Sequence, residues 1–186
     1  MKLNNNDIRT KEVLDWNGLH LLHFQTSACS QKTRIFLNLK NISWKSKSIN
    51  LVSNENYSDW FLGINPRAQV PVLIDDGHVH IESNDILEYL DNKFPAYRLI
   101  TLDKKEEINQ MMIEENNLHL DIRNVTFKFL VPRFLNRENI QEKTESKATL
   151  NGASDPADDL NRDFWEKYKK EGITDEVATK SLLSLK

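Results

Sequence analysis

The chain has 186 residues, a formal net charge of −3, 39% apolar residues and a single cysteine. This length is enough for one or two compact domains, and without an apolar run near ~18 residues we expect no membrane span and no membrane partner. No dense basic run favours a nucleic-acid partner. One cysteine excludes an intrachain disulfide and is typical of a reducing, cytoplasmic location. The five scattered histidines predict no metal site.

The chain is predicted to begin with an arm, a strand and a helix. Residues 1–17 are polar and predict a loose arm. The apolar run Leu19–Phe24 predicts one buried strand, and Ser30–Lys40 predicts a helix without an internal Gly or Pro. The apolar face of that helix is predicted to comprise Ile35, Phe36 and Leu39.

Hydroxyl and thiol groups lie where this strand ends and the helix begins. They belong to Thr26, Ser27, Cys29 and Ser30. A helix start offers free backbone N–H groups and roughly half a positive charge, so the junction suits an anion or a thiolate. The alternative is that Ser27 or Ser30 serves only as an N-cap.

The next segments predict a second strand, a hairpin and another helix. Ser43–Leu51 alternates in part and predicts a strand, which completes a βαβ unit, and a short helix is predicted at Tyr57–Leu62. Two apolar runs flank an Asp-Gly turn, which is typical of a hairpin. Pro71 heads the first of these runs, which favours a strand start and is compatible with a cis bond. Ser83 is predicted as the N-cap of the following helix.

The second half of the chain is predicted to be mostly helical. The pattern breaks over 95–103, which predicts a linker, and residues 104–186 predict helices. One helix begins at Lys104 and ends or kinks at Pro132, and Asn136–Gly152 is a polar segment predicted to be mobile. Asp155 and Thr174 are predicted N-caps of two further helices, the first of which ends at Gly172. The last helix has not ended at Lys186, so we expect this domain to be incomplete.

The order and spacing of these segments resemble the N-terminal thioredoxin-like domain of the glutathione S-transferases. The matching pieces are the junction Ser27–Arg34, the loop and strand Asn65–Leu73, and the helix start Glu82–Leu90. The junction is similar to the zeta class and, within that neighbourhood, to the tetrachlorohydroquinone dehalogenase type. The resemblance covers about residues 19 to 92.

The resemblance implies a fold and an outline of domains. The fold class is an α/β thioredoxin-like domain with a mixed sheet in the order βαβ–ββα, over 18–94. After the arm 1–17, this domain and the linker 95–103, an incomplete all-α domain is expected over 104–186. Because the helical domain of the family continues for several more helices, we expect the chain to be truncated at its C-terminus. A homodimer is also expected from the family.

The function implied is that of an enzyme that uses glutathione as co-substrate and attacks a small electrophile. Reductive dehalogenation and cis–trans isomerisation are the two sub-cases. Ser27 would donate its hydroxyl hydrogen to the glutathione sulfur. Cys29 would attack a glutathionyl intermediate in the dehalogenase-like case, or it is merely a small buried side chain.

The same resemblance assigns residues to the rest of glutathione. Glu82 and Ser83 would receive the amino-acid end of the tripeptide. Val70, before Pro71, would offer its backbone N–H and C=O as an added strand would. The last two candidates, for the glycine carboxylate, are Arg67 and Gln69.

Two other functions stay open at this point. The first is a non-catalytic binding or interaction module on the same fold, which the expected loss of C-terminal helices favours. The second is a thiol–disulfide oxidoreductase, for which only a monothiol route through Cys29 is available.

Overall fold

The computed structural model describes residues 1–131 and 156–186, in two compact units: unit 1, Met1–Asp103, and unit 2, Lys104–Lys186. The strands of unit 1 are β1 Leu19–His23, β2 Lys45–Ser48, β3 Val72–Asp75 and β4 His78–His80, and its helices are α1 Ala28–Leu39, α2 Asp59–Leu62 and α3 Ser83–Lys93. The sheet order is β2-β1-β3-β4. β1 is parallel to β2 and antiparallel to β3, which is antiparallel to β4. The predicted mixed sheet in βαβ–ββα order is therefore confirmed.

One hydrophobic cluster of unit 1 lies between the sheet and the two long helices. Its buried members are Leu19, Leu21, Phe36, Leu37, Leu73, Ile86, Leu87 and Leu90. Strands β1 and β3 contribute alternate residues to this face, as the period of two requires. The core thus fixes α1 and α3 side by side on one face of the sheet.

The predicted apolar face of α1 is wrong at two positions. Ile35 and Leu39 are 58% and 67% exposed, whereas Phe36 and Leu37 are buried. Thr33 is also buried, because positions three and four apart form one stripe of a helix and this stripe faces the sheet. Ile35 and Leu39 lie on the neighbouring stripe.

Strand β2 is shorter than predicted. It covers Lys45–Ser48 rather than Ser43–Leu51, and all four of its residues are exposed. It is an edge strand, and edge lysines discourage pairing with other chains. Ile49, which follows the strand, supplies the buried side chain at this edge.

The prediction of a loose arm over residues 1–17 is wrong. Leu3, Ile8 and Val13 are all buried. The Trp16 ring lies 4.6 Å from that of His20 and 6.4 Å from that of Trp60, centroid to centroid. A 3₁₀ helix covers Lys11–Asp15 within this segment. The three apolar residues are too widely spaced to form a local pattern, which is why the sequence read as polar.

Unit 2 contains four described helices: α4 Lys105–Asn117, α5 His119–Phe129, α6 Pro156–Glu171 and α7 Asp175–Ser184. The single helix predicted from Lys104 is divided at Leu118. Aromatic side chains from α5 and α6 pack edge to face, with ring centroids 5.1–5.6 Å apart among Phe127, Phe164 and Trp165.

The predicted end of α6 at Gly172 and the predicted N-cap of α7 at Thr174 are confirmed. Gly172 follows α6 with a positive φ of 73°, as at many helix ends, and the Thr174 hydroxyl accepts from the Val177 amide at the start of α7. The predictions for Pro132, Asn136–Gly152 and Asp155 lie outside the described residues. No helix in the described ranges is long and apolar enough to cross a bilayer.

Candidate functional site

The strand register brings the three predicted pieces of the site to one edge of the sheet. Leu22, near the end of β1, lies opposite Val72 at the start of β3, and Leu73 lies opposite His80 at the end of β4. The chain that leaves β1 enters α1, the chain that enters β3 comes from Pro71, and the chain that leaves β4 enters α3. The two helix starts and the Pro71 loop therefore lie together where β1 and β4 end and β3 begins. This end of the strands is called the shared edge of the sheet.

Ser27 is the N-cap of α1. Its Oγ accepts a hydrogen bond from the Ser30 amide at 3.3 Å, and its side chain is half-buried. Ser27 therefore caps α1, which by itself does not exclude a second role for its hydroxyl. Because a hydroxyl has a donor as well as acceptor lone pairs, this bond leaves its hydrogen available to a sulfur.

Cys29 lies in the first turn of α1, and its thiol is half-buried. The helix N-terminus favours an anion at this position. Ser30 lies below it, fully buried, and its Oγ accepts from the Phe24 amide at 3.3 Å, which fixes the turn out of β1.

A contact that sequence reasoning missed joins the two helix starts. Lys32 Nζ donates to Asn84 Oδ1 at 2.6 Å, although the residues are 52 positions apart. No local pattern in the sequence marks this pair. Lys32 also lines a shallow depression of about 430 Å³ that runs along α1 from Ala28 to Leu39.

The loop before β3 is held by asparagine side chains. Asn65 Nδ2 donates to the Gln69 carbonyl at 2.9 Å, while Asn65 Oδ1 accepts from the Arg67 amide at 3.1 Å. Asn56 Nδ2 donates to the carbonyl of Ala68 at 2.8 Å. Asn is common in turns because it makes such backbone bonds, and that signal could have identified Asn65.

The Val70–Pro71 bond is cis, as the sequence allowed. Pro71 is buried, and Val70 and Gln69 are half-buried at the start of β3. The loop preceding them includes Ala68 with a positive φ of 54°. Val70 thus lies two residues before Val72, which is paired with Leu22 near the end of β1.

Arg67 and Glu82 form an ion pair, with Arg67 Nη1 and Glu82 Oε1 2.5 Å apart. The Arg67 side chain is 6% exposed and that of Glu82 is 36% exposed. Sequence reasoning placed these residues at opposite ends of a ligand, but the structure brings their charged groups together. The exposed part of the Glu82 carboxylate is therefore the charge of this pair that a ligand can reach.

The prediction that Ser83 is the N-cap of α3 is wrong. Glu82 is the N-cap, with a φ of 64° and no side-chain capping bond, and Ser83 is the first helical residue. The buried Ser83 still lies where the first amides of α3 have no intrahelical acceptor. The site chemistry predicted there, a carboxylate held at a helix start, is compatible with this shift of one position.

His23 lies at the end of β1, below the junction. Its Nε2 is 2.7 Å from Ser46 Oγ, and burial together with the Arg34 guanidinium lowers the pKa of His23. It is therefore neutral at pH 7. Among the described residues, no group of three His, Cys, Asp or Glu side chains could hold a metal ion.

Residues 26–93 match the model of the glutathione S-transferase N-terminal domain. Unit 1 contains a glutathione S-transferase N-terminal domain. All eight candidate residues lie within the matched range: Ser27, Cys29, Arg67, Gln69, Val70, Pro71, Glu82 and Ser83.

Curated relatives agree with this domain and with the zeta-like resemblance. A zeta-class glutathione S-transferase of Euphorbia esula is 38% identical over 92 residues, which is 49% of this chain and 41% of the relative. A probable maleylacetoacetate isomerase of Caenorhabditis elegans is 40% identical over 83 residues, 45% of this chain and 38% of the relative. The chain thus spans about two-fifths of the length of these relatives in the aligned region.

The solved structures extend the similarity in fold beyond the N-terminal domain. The beta-etherase LigF of Sphingobium sp. strain SYK-6 superposes with a TM-score of 0.68 and 23% identity, over 90% of this chain and 68% of that one. At this identity, the similarity establishes the fold alone. The glutathione S-transferase fold, with its helical second part, is therefore shared by this chain.

Proposed function

We propose that the chain binds glutathione along the shared edge of the sheet and activates its thiol for attack on a small electrophile. The observation that carries the proposal is the convergence of the two helix starts and the Pro71 loop within a glutathione S-transferase N-terminal domain. Glutathione would serve as co-substrate.

Each part of the tripeptide has a candidate partner. The Val70 backbone would pair with the peptide as an added strand. The amides at the start of α3, with Ser83, suit the α-carboxylate, and the exposed face of Glu82 suits the ammonium group. Gln69 stays the candidate for the glycine carboxylate. Arg67, predicted for the same group, pairs with Glu82 and would orient the Glu82 carboxylate.

The Ser27 hydroxyl would donate to the glutathione sulfur. A free thiol has a pKa of about 8.5, so only a few per cent is thiolate at neutral pH. A donor at the helix start stabilises the thiolate. The thiolate then forms a carbon–sulfur bond with the electrophile, and the displaced group leaves with the bonding electron pair.

Two reactions follow from this chemistry. Relatives named maleylacetoacetate isomerase favour cis–trans isomerisation, in which the thiolate adds to a double bond, the resulting single bond rotates and the thiolate leaves. In the dehalogenase-like alternative the thiolate first displaces halide. The Cys29 thiolate then attacks the sulfur of that conjugate, an S–S bond forms, and the substrate carbon gains a proton as its bond to sulfur breaks.

The binding test is a calorimetric titration of the full chain with reduced glutathione. We expect Ser83→Ala and Glu82→Gln to weaken binding, whereas Ser43→Ala, an exposed serine before β2, serves as the matched control and should not. Folded wild-type protein that binds no glutathione would overturn the proposal.

The chemical test compares turnover. With a maleyl double-bond substrate or an aryl halide, Ser27→Ala should lower kcat by on the order of a hundredfold, as the loss of one donor to a developing anion does. In the dehalogenase-like case Cys29→Ser should accumulate the glutathionyl conjugate, while in the isomerase case no conjugate should accumulate. Binding without any turnover would instead favour the non-catalytic module.

A cytoplasmic location and a homodimer stay predictions of this proposal. The first follows from the single cysteine and a reducing environment for glutathione. Sedimentation of the purified chain measures the second.

A further inference from the structure

Residues 1–17, here called the N-terminal arm, pair with the outer edge of β4. The Leu3 amide donates to the Val79 carbonyl at 2.8 Å, and the Ile81 amide donates to the Met1 carbonyl at 2.9 Å. Lys2 lies opposite His80 in an antiparallel bridge. The arm therefore covers a strand that ends the sheet order and would otherwise be an open edge.

The arm has a second attachment at the end of α2. The amides of Arg9 and Thr10 donate to the Gly63 carbonyl at 2.7 and 3.2 Å, and Thr10 Oγ1 donates to the Trp60 carbonyl at 2.7 Å. A Cβ on Gly63 would lie 2.2 Å from Thr10 Oγ1. The absence of a side chain at residue 63 therefore allows this close approach.

Each attachment adjoins one half of the Arg67–Glu82 ion pair. Ile81, which bonds to the arm, directly precedes Glu82. Gly63 lies two residues before Asn65, whose side chain accepts from the Arg67 amide. One continuous segment thus spans the two parts of the chain that carry the pair.

We propose that the N-terminal arm is a positioning segment that holds Arg67 and Glu82 in register for the amino-acid end of glutathione. This inference rests on the proposed function, and it concerns residues that precede the matched range 26–93. Holding a site in its bound geometry before the ligand arrives improves affinity, because less freedom is lost on binding. The arm would therefore act on glutathione affinity rather than on the reaction at sulfur.

The experiment compares two variants, one at each attachment, in the full chain. Thr10→Val removes the bond to the Trp60 carbonyl at nearly constant shape, and Leu3→Asp places a charge at a site that is 2% exposed, which should release the first residues. Asn6→Ala, an exposed position between the two attachments, is the control. Glutathione affinity is measured well below the unfolding temperature, together with amide hydrogen exchange of the free protein.

We expect the dissociation constant for glutathione to rise roughly fivefold in Thr10→Val, the effect of one hydrogen bond, and further in Leu3→Asp, with kcat at saturating glutathione unchanged. Exchange should accelerate at 64–70 and 81–84 and not in β1. A lower unfolding temperature with unchanged affinity would mean that the arm is only structural, and the proposal would be wrong.

The outcome separates this proposal from the proposed function. Wild-type protein that binds no glutathione would overturn the proposed function. In that case, the exchange data still decide whether the arm holds the two segments: acceleration at both supports it, and unchanged exchange overturns it. Because Thr10→Val is a mild change, the test does not depend on Leu3→Asp remaining folded.

Discussion

Lys40 and Asp91 form an ion pair that is buried on both sides. Lys40 Nζ lies 2.5 Å from Asp91 Oδ1, and the side chains are 1% and 2% exposed. The amides of Leu99 and Ile100 also donate to the carboxylate, at 2.9 and 3.1 Å, and Lys40 donates to the Tyr97 carbonyl. The pair therefore joins the end of α1, the last turns of α3 and the segment that follows α3.

The contacts of Asp91 favour its charged form and thereby lower its pKa. Burial by itself would raise the pKa, but hydrogen bonds from Lys40 and the two amides, with the charge of Lys40, lower it below its ordinary value. Replacing one partner leaves the other charge buried without compensation. Asp91→Asn should therefore lower the free energy of unfolding by about 3–5 kcal/mol, a large part of the 5–15 kcal/mol typical of a domain.

The assay is urea denaturation of the full chain, followed by circular dichroism, for Asp91→Asn, Lys40→Met and the double variant. The double variant should lose less than the sum of the single losses, because no unpaired charge stays behind. Asp103→Asn, an exposed acid, should change the free energy by under ~0.5 kcal/mol. Additive losses, or an Asp91→Asn loss under about 1 kcal/mol, would refute the assignment of a coupled buried pair.

Two further predictions concern pH and packing. Burial, with the charges of the N-terminus and Lys2, lowers the pKa of His80 to about 4. As pH falls from about 6.5 to 4, the His80 ring is therefore protonated in the unfolded chain before it is protonated in the folded one. This difference reduces the free energy of unfolding by up to roughly 3 kcal/mol. His80→Phe should remove most of this pH dependence of the free energy of unfolding, measured by urea denaturation between pH 7 and 4.5, and leave the part due to His23. An unchanged pH dependence would contradict the prediction. Leu37→Ala should cost about 2–5 kcal/mol and Leu39→Ala, at 67% exposure, under ~1 kcal/mol; similar losses in the two variants would contradict the observed face of α1.

Much of the candidate site could be located from the sequence because its signals are local. The Asp-Gly turn, the proline at the start of β3 and the serine before α1 each act within a few residues of themselves. Local signals were less accurate at element ends: Ser83 is the first residue of α3 rather than its cap. The edge of the sheet that carries the site followed from the order of these elements.

The sequence by itself determined the order βαβ–ββα, the presence of a helix start soon after the first strand and the loop that ends at Pro71. Only the tertiary structure decided that Arg67 meets Glu82, that Lys40 meets Asp91 and that the N-terminal arm is packed on the sheet. A local pattern specifies which element a segment can form, because caps, turns and periodicity involve neighbouring residues. It does not specify what that element packs against, since contacts between residues far apart in the chain depend on the assembled fold.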